Sequence, residues 1–160
     1  MNGPARKIHP LMRIPVPWLF VLVFLGGVGL QYLVALPRLS TGAPSLDLAA
    51  GAALTGAGAL LAIWCLSLFH RVRTTTVPFG SASALVTSGP YRRSRNPMYW
   101  SLTLVYAGTA CFQGRLWPVL LLPLMAVYLN FIVVPYEESR LRELFGDAYA
   151  GYCRRVRRWL

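Results

Sequence analysis

The sequence predicts an all-α polytopic membrane protein with four transmembrane helices, and three features of the chain support this. Of its 160 residues 56% are hydrophobic and only 13% are charged, whereas soluble domains carry about 25% charged residues. Four segments without Asp, Glu, Lys or Arg lie at 14–37, 48–70, 96–114 and 116–136. Each has the length of about 20 apolar residues that a helix needs to cross the hydrocarbon layer. Helices of a soluble bundle keep a polar face, and these segments do not.

The first segment is predicted to be a retained membrane helix. Pro15 and Pro17 open it, and its apolar run is too long for a signal peptide. No convincing small-x-small cleavage site follows it. We therefore count it as the first of four spans.

Small residues distinguish the second segment. Ala49, Ala53 and Ala57 recur at every fourth position, and Ala52 and Gly56 have the same spacing. Because such stripes let membrane helices approach closely, this face of the segment is predicted to pack against a neighbouring helix.

The third and fourth segments are predicted to form a helical hairpin, because only about three residues, 113–115, connect them. Asn96 has the character of an N-cap and Pro97 that of a first helical residue, so the third helix is expected to begin there. Pro135, near the end of the fourth segment, is expected to kink it.

The positions of the basic residues predict how the chain is oriented. Fourteen of the sixteen lie before the first segment, between the second and third, or after the fourth. Since positive residues stay cytoplasmic, both termini are expected in the cytoplasm, with the chain in a bacterial inner membrane. The basic residues that produce the net charge of +11 therefore lie at membrane boundaries, and no nucleic-acid partner is expected. Cys65, Cys111 and Cys153 share no metal-ligand spacing, so they are predicted to be packing residues and no metal site is expected.

Polar residues are concentrated at 71–95 and 137–160, and any chemistry is expected in these two segments. Arg92, Arg93 and Arg95 stand directly before the third helix, whose N-terminal N–H groups and positive dipole end favour an anion. The alternative role of these cations is to anchor the chain at the membrane surface.

Two adjacent glutamates, Glu137 and Glu138, directly follow the fourth segment. Acidic residues contribute little to topology, and ionisable residues at membrane depth mark function. The short hairpin should bring both glutamates close to Arg92, Arg95 and Tyr99. Two interpretations remain: a buried Arg–Glu lock, or a pocket of both charge signs that suits a zwitterionic ligand.

The C-terminal segment is predicted to be helical and amphipathic. Gly146 is a candidate helix stop, and beyond it apolar residues recur at spacings of three and four with arginines opposite. These residues are Tyr149, Tyr152, Val156 and Trp159. The pattern suits a cytoplasmic segment that lies on an anionic membrane surface.

Two motifs, GPYRRSRNPMY and EESRLRELFGDAYAGY, give the chain a family resemblance over residues 74–160. In combination they resemble the integral-membrane methyltransferases of the isoprenylcysteine carboxyl methyltransferase and phospholipid methyltransferase superfamily. The sequence around Asn96 is similar to the phosphatidylethanolamine N-methyltransferase branch, since isoprenylcysteine enzymes usually have His at that position. Ser101 stands where the family often has Gly, and residues 74–80 lack the glycine-rich stretch of the eukaryotic phospholipid enzymes.

The resemblance implies an S-adenosylmethionine-dependent methyltransferase that acts on a lipid or membrane-partitioned acceptor, such as a phospholipid amine or an isoprenylcysteine-type carboxylate. A small thiol or phenol also remains open as the acceptor. It assigns no catalytic side chain and implies no metal. The matching motifs imply that the cofactor is bound by Tyr91, Arg92, Arg95, Asn96, Pro97, Tyr99, Glu137 and Glu138. The competing interpretations are an NADPH-dependent membrane reductase related to sterol reductases, and a small membrane protein without enzymatic activity.

Overall fold

The computed structural model of the protein describes residues 14–72 and 84–160. Within these ranges the chain is helical and contains no strand, so the all-α prediction is confirmed. Its α-helices are α1 (Val16–Leu33), α2 (Pro44–Arg71), α3 (Pro97–Gln113), α4 (Leu116–Tyr128) and α5 (Val134–Arg155). A short 3-10 helix, Gly89–Arg92, precedes α3, and a π-helical turn, Leu129–Val133, joins α4 to α5.

Three helical stretches among the described residues are long and apolar enough to cross a membrane. They are α1, α2 and the continuous stretch Leu116–Arg155, which contains α4, the π-helical turn and α5. The helix of the third predicted span, α3, has 17 residues and is therefore about 26 Å long. That is slightly less than the hydrocarbon thickness of about 30 Å, so the third predicted span, and with it the count of four, remains a prediction.

Helices α2 and α3 pack with their backbones in close contact. A Cβ atom placed on Gly58 of α2 would lie 2.7 Å from the carbonyl oxygen of Ser101, and one on Gly108 of α3 would lie 2.6 Å from the backbone nitrogen of Thr55. Ser101 is fully buried, and its hydroxyl donates a hydrogen bond to the carbonyl oxygen of Met98 over 2.6 Å. The absence of a side chain at Gly58 lets the backbone at Ser101 approach α2 closely.

The predicted packing face of α2 was wrong. Its alanines at 49, 52, 53 and 57 and the glycine at 56 are all exposed, whereas Gly51, Thr55 and Gly58 face α3. A strict spacing of four drifts around a helix that has 3.6 residues per turn. The alternation of four and three in the observed set keeps its members on one face.

The hairpin of α3 and α4 is present as predicted. Gly114 adopts φ 58°, a left-handed conformation that glycine reaches without strain, and α4 begins two residues later. The hydroxyl of Tyr106 on α3 donates to the carbonyl oxygen of Pro118 on α4 over 2.8 Å. Helix α1 packs against both helices of the hairpin: the rings of Phe20 and Phe24 meet that of Tyr106 on α3 edge-on, and a Cβ on Gly27 would lie 2.9 Å from Cα of Pro118 on α4.

The predicted disturbance near Pro135 takes the form of the π-helical turn. Pro135 has no N–H with which to continue the helical hydrogen bonding, and the widened turn Leu129–Val133 directly precedes α5. Further along α5, Gly146 has φ 48° and ψ −121°. The helix is therefore broken at Gly146 but resumes at once, so this residue separates two helical parts of α5.

The apolar face of the C-terminal segment is covered by protein. Tyr149, Tyr152 and Val156 are buried and pack with Leu85 and Phe145. The interpretation that this face lies on the membrane surface was therefore wrong. An apolar stripe can pack against protein as readily as it can lie on lipid. Here the stripe packs against the loop that precedes α3.

Candidate active site

The start of α3 is bonded to the chain that follows α5. The backbone N–H of Arg95 donates to the carbonyl oxygen of Arg157 over 2.9 Å. The carbonyl oxygen of Arg158 accepts a hydrogen bond from the Asn96 side-chain amide over 2.9 Å and one from the Ser94 hydroxyl over 3.3 Å. These contacts fix both polar segments of the sequence at the N-terminal end of α3.

Helix α3 begins where the sequence predicts, with Asn96 in the N-cap position and Pro97 as its first residue. The Asn96 side chain makes no capping hydrogen bond to α3, because its amide is directed to Arg158. Asn96 therefore ties the helix start to the C-terminal segment.

A single buried carboxylate organises the arginines of the site. Glu138 is 4% exposed and accepts two hydrogen bonds from Arg158, at 3.0 and 2.8 Å. Arg95 lies 3.2 Å and Arg142 lies 3.6 Å from its oxygens. The hydrogen bonds to Glu138 raise the pKa of the Arg158 guanidinium above its usual value. Three guanidinium groups thus surround one carboxylate, which leaves an excess of positive charge.

Arg95 is the arginine most enclosed by this arrangement, with its side chain 13% exposed. Its Nη1 is 2.6 Å from Sγ of Cys153, so Cys153 is a partner of this arginine as well as a packing residue. Its Nε is buried without a hydrogen-bond partner among the described residues. A buried donor without an acceptor, in a positively charged cluster, is a natural contact for an anionic ligand.

The second glutamate occupies a different environment. The hydroxyl of Tyr99 donates to Oε1 of Glu137 over 2.5 Å, and Tyr99 is buried in a core that includes Val16 and Val133. Neighbouring residues of a helix point about 100° apart, which separates the partners of Glu137 from those of Glu138. The site therefore has an arginine-rich side and a side formed by Tyr99 and Glu137.

Two residues beside the site, Trp159 and Asn130, were not predicted from the sequence. The Trp159 indole N–H donates to Oδ1 of Asn130 over 2.9 Å, and its ring meets that of Trp100 edge-on, with centroids 6.2 Å apart. The indole nitrogen of Trp100 is buried without a partner in the described part of the chain. Asn130 lies in the π-helical turn, an irregularity that is frequent at functional sites. Asn130 has the only amide side chain in segment 116–136, and this isolated polar residue could have been recognised in the sequence.

The structure brings together most of the predicted residues. Arg95 meets Glu138, and Tyr99 meets Glu137, as expected from the hairpin. Arg92 is exposed and contacts neither glutamate. The Tyr91 ring packs edge-on against Phe69 of α2, with centroids 5.6 Å apart. Residues 74–80 lie outside the described residues, and no cluster of metal-ligating side chains occurs in 14–72 or 84–160.

A comparison with protein families identifies what kind of protein carries this site. The family model described as phospholipid methyltransferase matches residues 46–148. The chain belongs to the phospholipid methyltransferase family. Searches of curated proteins and of solved structures gave no match.

The family match confirms the resemblance seen in the sequence but has different boundaries. It begins in α2, before the expected residue 74, and it ends within α5 at residue 148. It therefore includes the α3 start and both glutamates. Arg158 and Trp159, which complete the site, lie beyond the match. Membership of the phospholipid methyltransferase family supports a membrane methyltransferase.

Proposed function

We propose that this membrane protein is an S-adenosylmethionine-dependent methyltransferase with a lipid acceptor, and that the acceptor is a phospholipid amine. The observation that carries the proposal is the pairing of an arginine cluster on Glu138 with the Tyr99–Glu137 pair. Of these residues, Arg95, Tyr99 and both glutamates lie inside the phospholipid methyltransferase match. Both charge signs are available at the start of α3, where a zwitterionic ligand would be held.

The described residues fit the charged part of this cofactor. Its methionine carboxylate matches the unpartnered Nε of Arg95 and the excess positive charge around Glu138. A carboxylate oxygen of Glu137 would accept from the cofactor's ammonium group or ribose hydroxyls. Tyr99 and Trp100 offer π faces to a sulfonium, an interaction worth about 0.5–2 kcal/mol. When bound, the cofactor supplies a methyl group attached to positively charged sulfur.

All eight residues assigned by motif remain in the proposed cofactor site, with different roles. Arg95, Tyr99 and Glu137 would contact the ligand, and Asn96 and Pro97 would form the helix start beside it. Glu138 would hold the arginines in place, since both of its oxygens have arginine partners. Tyr91 would support the site from the loop, because its carbonyl oxygen accepts a hydrogen bond of 2.7 Å from the Tyr152 hydroxyl. Arg92, on the exposed surface, would act on the ligand at longer range.

The protein must align the two reactants, and the acceptor must be deprotonated. An ammonium acceptor must lose a proton before its nitrogen can attack a methyl carbon. Oε1 of Glu137 is engaged by Tyr99 and its other oxygen is assigned to the cofactor, so no side chain is proposed as the proton acceptor. Correct alignment of the two reactants in a dry site can supply about 7–11 kcal/mol of the barrier.

The proposed topology has four spans, with α3 as the third and the fourth ending near Tyr136. Both termini and the two polar segments, 71–95 and 137–160, then lie on the cytoplasmic side of a bacterial inner membrane. At 17 residues, α3 is at the lower end of the range that can span a bilayer, about 17–25 residues. Its tight packing on α2 supports counting it with the membrane helices.

Two measurements on the purified protein in detergent test the proposal. Calorimetric titration with S-adenosylmethionine and with NADPH should give binding of the first alone. Incubation with methyl-labelled cofactor and total membrane lipid should then label an amino phospholipid. Binding of NADPH alone would favour a reductase, and binding of neither would favour a protein without enzymatic activity. Label in a prenylcysteine carboxylate, supplied in parallel, would overturn the phospholipid acceptor.

A further inference from the structure

Two short segments lie side by side at the N-terminal end of α3. The Tyr152 hydroxyl donates to the carbonyl oxygen of Tyr91 over 2.7 Å, and the Arg95 amide donates to the carbonyl oxygen of Arg157 over 2.9 Å. These bonds hold residues 91–95 beside residues 152–157. The exposed arginines of the two segments, which we call the arginine surface, are Arg92, Arg93, Arg154, Arg155 and Arg157.

The arginine surface is not neutralised by the described protein. None of its members makes an ion pair within residues 14–72 and 84–160. The chain has only five acidic residues. Glu138 is surrounded by other arginines, Glu137 accepts a hydrogen bond from Tyr99, and Glu143 pairs with Arg140. Asp147 makes no ion pair with a described residue, and Asp47 accepts hydrogen bonds from Ser40 and Thr41 beyond the far end of α3.

The location of the surface indicates its partner. It adjoins the point where α2 ends and α3 begins, so it lies at one end of the apolar helices. The apolar side of the same C-terminal segment is already buried against the protein, which leaves the arginines as its outward groups. A group of exposed cations beside membrane helices attracts anionic lipid headgroups.

We propose that the arginine surface binds the headgroups of anionic phospholipids and gathers them beside the start of α3. The contact is electrostatic, since the neighbouring apolar side chains are occupied within the protein. This binding does not depend on methyl transfer, so it can be tested separately from the proposed enzymatic function. The occupant is a bilayer lipid, because the surface lies beside helices of membrane-crossing composition.

Competition between two lipids in detergent tests this proposal. The purified protein is exposed to equal amounts of phosphatidylglycerol and phosphatidylcholine, and the retained lipids are counted by native mass spectrometry. The test variant is R93Q/R155Q, and R38Q/R115Q is a control with the same loss of charge at the other end of α3. Wild type and control should prefer phosphatidylglycerol, and the test variant should lose that preference roughly fivefold or more.

Equal preference in the two variants would overturn the proposal. So would complete displacement of phosphatidylglycerol by inorganic phosphate, because the surface would then bind any phosphate group. If R93Q/R155Q does not fold, R93K/R155K serves as the second variant. It should keep the wild-type preference, since diffuse attraction to a lipid surface needs charge and not the guanidinium shape; loss of the preference in that folded variant would also overturn the proposal.

Discussion

Arg158 binds the carboxylate of Glu138 with two hydrogen bonds, of 3.0 and 2.8 Å, and Arg95 lies 3.2 Å from the same carboxylate. The pair connects a residue beyond the family match to one inside it. Glu138 is buried, so its charge depends on these cations. The short segment after α5 is therefore part of the site. Removal of this segment should change the environment of Arg95.

Replacement of Arg158 should therefore destabilise the protein through Glu138. We expect R158A to lower the free energy of unfolding by about 1.5–3 kcal/mol, the value of a hydrogen bond to a charged group. R158A/E138Q should cost less than the sum of R158A and E138Q, because the buried charge is removed along with its partner. Thermal unfolding in detergent, followed by circular dichroism, measures both. Strict additivity would show that the two side chains do not cooperate.

The two adjacent glutamates should respond differently to the same substitution. E138Q removes the charge that holds three arginines and should lower thermal stability together with cofactor affinity. E137Q retains an oxygen that accepts from Tyr99, so stability should stay near that of wild type while affinity or turnover falls. Calorimetry and thermal unfolding of both variants separate the two roles. Equal effects on stability would contradict the division of the site into two sides.

The parts of the fold that the sequence predicts correctly depend on local constraints. The helix start at Asn96 and Pro97 follows from the preferences of those residues. The proximity of Glu138 to Arg95 follows from the short hairpin, because two residues between helices leave the chain few alternatives. Neither inference requires knowledge of how distant segments pack.

The features that were missed depend on packing that the sequence does not record locally. Helix α2 is apolar on all sides, so no polar face identifies the side that meets α3. The contacts of Trp159 with Asn130 and Trp100 require the chain to turn back after α5, and no residue there gives a strong turn signal. The apolar stripe around Tyr149 has the same spacing whether it meets lipid or protein.

The close packing of α2 and α3 gives a prediction about glycine. G108A should destabilise the protein by about 1–3 kcal/mol, the usual cost of overpacking, because the added Cβ would lie 2.6 Å from the backbone nitrogen of Thr55. G56A is the matched control, since a Cβ there meets nothing within 4 Å, and alanine favours the helix by about 0.5–1 kcal/mol. Thermal unfolding of the two variants should move in opposite directions. A stable G108A protein would contradict the backbone contact.

The proposed topology is tested by labelling of single cysteines. In a background without the three native cysteines, T87C and S45C place thiols at exposed positions at opposite ends of α2. A membrane-impermeant maleimide added to sealed, right-side-out spheroplasts should label S45C, and T87C should react only after the membrane is opened. Labelling of both from one side would contradict a membrane-crossing α2.

The arginines before α3 should differ in what they require of their side chains. Arg95 is enclosed by Glu138 and Cys153, and its Nε is directed to neither, so its planar shape matters. R95K keeps the charge but loses the fork that can contact two groups at once. We expect it to weaken cofactor binding by about 1–3 kcal/mol, measured by calorimetry in detergent. Arg93 is exposed, and R93K should bind the cofactor as wild type does, since a cation at a membrane boundary is all that its position requires. Wild-type affinity in both variants would mean that Arg95 serves the fold through Glu138 and does not contact the ligand.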